Sequence, residues 1–128
     1  MDAHIRIILD DGKKKSKIDV NVIMGDMFVA AIVPQNKKSK RYLSWVVCEH
    51  HKEDNAVNVW HIQTLTDKKR TGLATTLINM LKINHDTIET NYETTNDDGY
   101  LFFIKQGFKE IKAFTFKERK VLQWKKKN

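Results

Sequence analysis

The chain has 128 residues, of which 41% are hydrophobic and 30% charged, a composition that fits one soluble globular domain and leaves no room for a second core. Its apolar runs are far shorter than the roughly 20 residues that cross a bilayer, and its first residues lack the basic stretch and apolar run of a signal peptide. We therefore expect a cytoplasmic protein with one domain over residues 1–128 and no membrane partner.

The first half of the chain predicts β-strands. Residues 17–23 alternate apolar and polar side chains, which is typical of a half-buried strand. Residues 28–33 form a continuous apolar run that suits a buried strand, and a basic loop is expected at residues 34–40. Two long apolar stretches are joined by a charged segment at residues 50–55, which predicts an antiparallel hairpin. The predicted strands cover residues 5–9, 17–23, 28–33, 42–49 and 57–65.

The apolar period changes at Gly72. Apolar residues at helical spacing predict an amphipathic helix over residues 72–83. A shorter helix is expected to end at Gly107, after several possible N-cap residues at 95–98. The order strands, helix, strand, helix, strands predicts an α+β fold with a mixed sheet. The remaining predicted strands cover residues 86–92, 109–116 and 119–124.

The single cysteine, Cys48, excludes an internal disulfide framework. It lies in a predicted apolar strand, so we interpret it as a buried, hydrophobic side chain. The alternative is an acyl-accepting nucleophile, which needs a lowered pKa and a nearby base, and His50 and His51 are close in sequence. The five histidines show no metal-ligand spacing, and we predict no metal site.

The chain is basic, with a formal net charge of +7 and an isoelectric point near 9.5. Its lysines and arginines come in clusters that can attract nucleic acid, acidic proteins or phosphorylated cofactors. The alternative is a solvated loop or a frayed tail, which we favour for the last cluster. The clusters lie at residues 13–17, 37–41, 68–70 and 125–127.

A predicted strand, a basic loop and a helix start follow one another at residues 57–78. The first turn of a helix leaves four backbone N–H groups without partners and carries partial positive charge. Lys69 and Arg70 add charge at this point, and Gly72 lets the backbone approach an anion closely. The combination indicates a pyrophosphate site; a capped amphipathic helix with solvated charges is the alternative that explains the same pattern.

Two short motifs carry a resemblance to a known family. Residues 69–74 are Lys-Arg-Thr-Gly-Leu-Ala, and this segment is similar to the acyl-CoA signature Gln/Arg-x-x-Gly-x-Gly/Ala of the GNAT N-acyltransferase superfamily, with lysine at the first position. Residues 96–108 match a second mark of the family, an asparagine followed by a short helix that ends in a Gly-Phe pair. The resemblance covers residues 57–116. It implies a GNAT-like α+β fold, a mixed and mostly antiparallel sheet with splayed central strands and two main helices.

The resemblance also implies acetyl-CoA as the cofactor. Backbone groups of the central strand would pair with the pantetheine arm like an extra edge strand, and the following helix start would hold the pyrophosphate. Asn96 would bond the pantetheine arm from the far side. The implied cofactor-binding residues are Ile62, Gln63 and Thr64 in the strand, Lys69, Arg70, Thr71, Gly72, Leu73, Ala74 and Thr75 in the loop and helix start, and Asn96.

The sequence departs from the family pattern at three places. The family commonly has a tyrosine that protonates the departing thiolate where this chain has Phe103, and some members have a glutamate base where it has Asn91. The pair of helices that usually covers the acceptor has no counterpart, because the loop at residues 12–16 is too short and the loop at residues 34–40 could hold one turn at most. Candidate replacement bases are Glu89, Glu93 and His61, each with an alternative interpretation as a surface or cross-strand residue.

Two functions from different classes remain open. One is an N-acetyltransferase in which a primary amine, on a lysine or a terminus and also within a macromolecule, attacks the thioester directly in a ternary complex. Loss of the acid is tolerable, because a thiol of pKa about 8.5 is a fair leaving group and acid–base assistance is worth roughly 10²–10⁴-fold. The other function is a non-catalytic module on the same scaffold that binds nucleic acid or an acidic protein. The cofactor motif favours the enzyme, without naming its acceptor.

Overall fold

The computed structural model of the chain describes residues 4–5, 16–34, 41–65, 72–93, 97–114 and 119–127. Within these ranges, eight strands and two α-helices form an α+β arrangement. The strands are β1 (His4–Ile5), β2 (Ser16–Met24), β3 (Met27–Pro34), β4 (Ser44–His51), β5 (Ala56–Thr64), β6 (Thr87–Glu93), β7 (Lys109–Phe114) and β8 (Arg119–Lys125), and the helices are α1 (Leu73–Asn84) and α2 (Asp97–Lys105).

The described strands form one sheet in the order β1-β2-β3-β4-β5-β6-β8-β7. Neighbouring strands run antiparallel, except that β5 and β6 are parallel. A parallel pair needs a crossover connection, and α1 lies in the segment between the two strands. The predicted mixed, mostly antiparallel sheet with two main helices is therefore confirmed.

The central strands β5 and β6 pair only at their first residues. Their register runs from Ala56 opposite Thr87 to Val59 opposite Thr90 and then stops. Beyond this point β5 continues to Thr64 alongside β4, whereas β6 continues alongside β8. The two strands therefore part, as the predicted splay requires, and they leave an opening in the sheet that we call the strand gap.

A β-bulge at Trp60 lies where the strands part. Val47 pairs with His61 and Cys48 pairs with Val59, so Trp60 is the extra residue on β5. The alternation of side chains between the two faces shifts by one residue after Val59. A bulge bends its strand and increases the local twist, which helps to turn the rest of β5 away from β6.

Both helices cover the same face of the sheet. Leu73, Leu77 and Leu81 recur at helical spacing and are buried in the core beneath α1. The end of α2 reaches α1, because Gln106 Nε2 donates a hydrogen bond to Thr75 Oγ1 (3.0 Å). Full burial of a large aliphatic side chain stabilises the fold by about 1.5–3 kcal/mol. The strand residues of this core are Ile18, Ala30, Ile32, Val46, Cys48, Val57, Val59, Ile88 and Leu122.

The observed boundaries differ from the predicted ones around two connections. His50 and His51 belong to β4 rather than to the hairpin loop, because their backbones still pair with β5. The turn itself is a 3₁₀ helix at Lys52–Asp54, followed by Asn55 at φ 46°, a left-handed conformation that asparagine tolerates. Pro34 ends β3 instead of opening the loop, since its missing N–H costs little at a strand terminus.

The other predicted elements are confirmed, with ends that shift by no more than two residues. Of the predicted strand at residues 5–9 only residue 5 is described. Of the two loops that we predict to be too short for a lid, at residues 12–16 and 34–40, only residues 16 and 34 are described. In the described ranges, no helix is long and apolar enough to cross a membrane.

Candidate functional site

The helix α1 begins without a side-chain cap. Its N-cap residue is Gly72, at φ 82° in the left-handed region that favours glycine, and no side-chain hydrogen bond caps this end in the described part of the chain. A Cβ built on Gly72 meets no heavy atom of the described residues within 4 Å, so these residues leave the space beside the helix start open. The first turn also carries no acidic residue. Its unpartnered N–H groups and the helix dipole favour an anion here.

Thr75 adds a hydroxyl to this helix start. Its Oγ1 accepts the hydrogen bond from Gln106 Nε2 (3.0 Å), which leaves the hydroxyl hydrogen able to donate to an anion. Thr76, by contrast, donates its hydroxyl to the Gly72 carbonyl (3.0 Å) and closes the first turn. The end of α2 therefore orients Thr75, a contact that the sequence does not predict. The predicted cofactor residues outside the described part are Lys69, Arg70, Thr71 and Asn96.

The end of β5 presents a backbone edge to the strand gap. Ile62, Gln63 and Thr64 pair with β4 on one side, and the pairing with β6 has already ended at Val59. Ser44 supports this end from β4, because its hydroxyl donates to the Gln63 carbonyl (3.0 Å) and lies 2.8 Å from Thr64 Oγ1. An unpaired strand edge offers N–H and C=O groups to an extended ligand.

Two of the three candidate bases have described side chains, on the sheet face opposite the helices. His61 is exposed, and its Nε2 lies 3.1 Å from Gln63 Oε1. Glu89 is half-buried, and its Oε2 accepts a hydrogen bond from Gln123 Nε2 (2.9 Å). Of Glu93 only the backbone is described, at the end of β6. Glu89 precedes the point where the strands part and His61 follows it, so they approach the gap from different strands.

Two further residues with possible chemistry belong to the core. Phe103, at the position of the family's usual acid, is fully buried with its ring tilted against Phe108 at 4.9 Å between centroids. Cys48 is also fully buried, and burial raises the pKa of its thiol well above the usual value. Because the thiolate is the nucleophilic form, the interpretation of Cys48 as a core residue is confirmed over that of an acyl acceptor.

A separate groove of about 490 Å³ lies near the C-terminal end of α1. Val20 and Phe28 line it from the strands, and Met80, Leu81 and His85 line it from the helix end. None of the strand-gap residues contributes to this groove, so it is distinct from the candidate site.

The comparisons with known proteins identify the fold. No family model and no curated protein sequence matches the chain. Arabidopsis thaliana NAA60 with a bisubstrate analogue is 11% identical, with a TM-score of 0.63 over 79% of this chain and 76% of that one. Arabidopsis thaliana Naa50 with a bisubstrate analogue is 14% identical, with a TM-score of 0.60 over 75% and 71%. The PaiA N-acetyltransferase of Thermoplasma acidophilum with coenzyme A is 12% identical, with a TM-score of 0.64 over 79% and 62%. The chain has the GNAT fold that its motifs predict.

Sequence reasoning missed Trp60 as a neighbour of the strand gap, and it missed the contact that Trp60 makes with Glu49. Trp60 is 59% exposed, and its Nε1–H donates a hydrogen bond to Glu49 Oε1 (3.2 Å). A signal for the bulge exists: the inward positions Val57 and Val59 are followed by Ile62, a step of three residues instead of two. Such a step places two consecutive side chains on the outer face.

Proposed function

We propose that the chain is an acetyl-CoA-dependent N-acetyltransferase that acts on a primary amine by direct attack in a ternary complex. The observation that carries this proposal is the strand gap, with an unpaired edge of β5 beside it and an uncapped helix start at Gly72. Structures of the same fold in complex with coenzyme A and with bisubstrate analogues support it. The cofactor, when bound, supplies an acetyl thioester that an amine can cleave.

In this proposal the chain holds the cofactor mainly through backbone groups. The first-turn N–H groups of α1 and the Thr75 hydroxyl bind the pyrophosphate, with added charge from the preceding basic loop. The outer edge of β5 pairs with the pantetheine arm, which Asn96 bonds from the far side. The proposed cofactor-binding residues are Ile62, Gln63, Thr64, Lys69, Arg70, Thr71, Gly72, Leu73, Ala74, Thr75 and Asn96.

The proposed reaction proceeds without an acid from α2. Phe103 has no proton to give, and a thiol of pKa about 8.5 departs acceptably as the thiolate. The acceptor ammonium must lose its proton, and His61, Glu89 and Glu93 are the candidate bases beside the gap. The remaining rate acceleration comes from positioning, because holding the amine against the thioester replaces a bimolecular encounter. In this proposal, backbone N–H donors of β5 also face the carbonyl oxygen and stabilise the charge that develops on it.

Gly72→Glu tests the cofactor site, because it sets a carboxylate against the bound phosphates. Acetyl-CoA at a hundredfold excess over Kd should stabilise the wild type by about 2.7 kcal/mol, a rise of several degrees in Tm. The same addition should leave Gly72→Glu unchanged. Gly25→Glu is the matched control, since Gly25 also has a positive φ (57°) and open space around a built Cβ. Both variants place a side chain on a left-handed backbone, which costs roughly 1–2 kcal/mol, but only Gly25→Glu should keep the shift.

Thermal denaturation with and without acetyl-CoA measures these shifts, and no shift in the wild type at millimolar acetyl-CoA contradicts the cofactor assignment. Transfer is measured separately as thiol release in the presence of lysine peptides, free N-termini and small amines. Loss of the general base should slow transfer by roughly 10²–10⁴-fold. The base is identified by testing three single variants, Glu89→Gln, Glu93→Gln and His61→Gln. Acetyl-CoA binding without transfer to any amine favours the non-catalytic module, and the missing hydroxyl at Phe103 favours it as well.

A further inference from the structure

A row of polar side chains crosses the closed end of the strand gap, on the face opposite the helices. In the register of the sheet, Glu49 lies opposite Asn58, Asn58 opposite Glu89, and Glu89 opposite Gln123. Residues that oppose one another on neighbouring strands share a face, so the row spans four strands. It lies one residue before the last paired position of β5 and β6 and therefore borders the gap.

Trp60 flanks this row where the strands part. Its side chain is 59% exposed, although tryptophan is highly buried on average. The hydrogen bond from Nε1–H to Glu49 Oε1 (3.2 Å) holds the ring beside the carboxylate. This bond uses one edge of the ring and one carboxylate oxygen, so a ring face and the second oxygen can serve a ligand. Among the described residues, no ion pair joins Glu49 or Glu89 to a lysine or arginine.

We propose that Trp60 and Glu49 select the acceptor, and that the acceptor class is alkyl diamines and polyamines. This inference rests on the proposed acetyl transfer, because it concerns the amine that enters the same gap. The Trp60 ring packs on the alkyl chain and attracts the cation through its π face. Glu49 pairs with the distal ammonium while the other amine reaches the thioester.

The spacing of the strands matches such a substrate. Residues 61 and 62 of β5 lie opposite Val47 and Val46 of β4, two to three residues beyond Glu49, which is roughly 7–10 Å at about 3.3 Å per residue. An extended alkyl chain advances about 1.25 Å per bond, so diamines with four to six carbons separate their nitrogens by roughly 6–9 Å. A lysine side chain in a protein carries a single ammonium and would leave the Glu49 carboxylate without a cationic partner.

The chemistry of the step leaves the distal ammonium unchanged. The reacting nitrogen forms a bond to the acetyl carbon, the carbon–sulfur bond breaks, the thiolate departs, and the amine proton passes to the base. The net positive charge of the chain opposes a cationic acceptor at long range. Salt screens charges beyond roughly 8 Å at physiological ionic strength, so the local carboxylate decides the binding.

The test compares 1,6-diaminohexane with hexylamine, which shares the alkyl chain and lacks the distal charge. Steady-state thiol release gives KM and kcat, and titration of the Trp60 indole N–H resonance, assigned with Trp60→Phe, gives binding without turnover. We expect the diamine to bind about three- to tenfold more tightly than the monoamine. Glu49→Gln should remove this preference by raising KM with kcat little changed. Trp60→Leu should weaken both amines in the kinetic assay, and Trp60→Phe should restore most of the loss.

Glu53→Gln is the matched control, because it removes the same charge from an exposed position in the neighbouring 3₁₀ turn; the preference should survive it. Equal binding of the two amines, or a preference that persists in Glu49→Gln, overturns the inference even where transfer occurs. A lysine peptide with a higher kcat/KM than the diamine also overturns it. Selective diamine binding without any transfer supports the subsite and contradicts the proposed enzyme instead.

Discussion

His85 is a buried histidine at the C-terminal end of α1, with 8% of its surface exposed. Its Nδ1–H donates to the Leu81 carbonyl (2.9 Å), and its ring lies edge-on to His50 at 5.1 Å between centroids. Burial lowers the pKa of His85 below its usual 6.5, and the hydrogen bond to Leu81 partly opposes this. Among the charges nearby, His50 lowers the pKa further and Asp86 raises it.

We expect the free energy of unfolding to fall as the pH drops below 6.5. As the pH falls, the unfolded chain protonates His85 before the folded protein does, because the pKa of His85 is lower in the folded state. The loss of stability therefore begins near pH 6.5 and ends at the folded pKa. While only the unfolded state takes the proton, the slope from this group is about 1.4 kcal/mol per pH unit. Urea denaturation at pH 7.5, 6.5 and 5.5 measures it. His85→Asn should flatten the slope and the exposed His51→Asn should not; equal slopes in wild type and His85→Asn contradict the assignment.

At the scale of elements, Lys82 connects α1 with the end of α2 and with β8. Its Nζ donates to the Gln106 carbonyl and lies 5.4 Å from the centroid of the Trp124 ring. Gln106 in turn donates to Thr75 at the start of α1 (3.0 Å). The turn after α2 is therefore held against both halves of α1, and this contact keeps the Thr75 side chain directed at the candidate phosphate site.

Lys82→Met keeps the apolar stem and removes the ammonium. We expect it to lower the free energy of unfolding by about 1–2 kcal/mol, since a hydrogen bond from a charged donor contributes about 1.5–3 kcal/mol and a cation–π contact about 0.5–1 kcal/mol. The net loss is smaller than the sum of these two contributions, because burial disfavours the charged ammonium and lowers the pKa of Lys82. Lys105→Met, at an exposed position in the last turn of α2, should cost no more than about 0.5 kcal/mol. Urea denaturation compares the two, and equal losses would show that Lys82 does not join the helices.

At the scale of the whole molecule, the net charge of +7 predicts non-specific association with polyanions at low salt. Six to ten phosphate contacts lose roughly 10³–10⁵-fold in affinity between 50 and 200 mM salt. Acetyl-CoA carries far fewer charges and is expected to bind largely through backbone N–H groups. The two kinds of binding should therefore separate with salt.

We expect fluorescence polarisation with labelled DNA or RNA to show binding at about 50 mM salt that is lost at about 200 mM, while the acetyl-CoA shift in Tm persists. Nucleic-acid binding that survives the higher salt and depends on the lysines at residues 13–17 or 37–41 would contradict this expectation. That result would favour the nucleic-acid-binding module over the enzyme.

The elements of this fold could be predicted because their signals are local. The change of apolar period at Gly72 marks the start of α1, and Gly107 ends the turn after α2 at φ 92°. The predicted end of β4 was wrong at His50 and His51. Their polar side chains suggest a loop, but their backbones still pair with β5 and extend the strand. The loop and helix-start motifs also located the candidate cofactor site, since glycine and basic residues before a helix have a local physical meaning.

The sequence by itself determined the class of fold, the position of the helix start at Gly72 and the absence of a tyrosine at position 103. Only the tertiary structure decided that Trp60 is a bulge residue and that Glu49, Asn58, Glu89 and Gln123 form one row beside the gap. These relations depend on strand register between residues distant in the chain, and a shift of one residue would move each side chain to the other face. The apolar period encodes each element separately, whereas the register follows from the packing of all of them against one core.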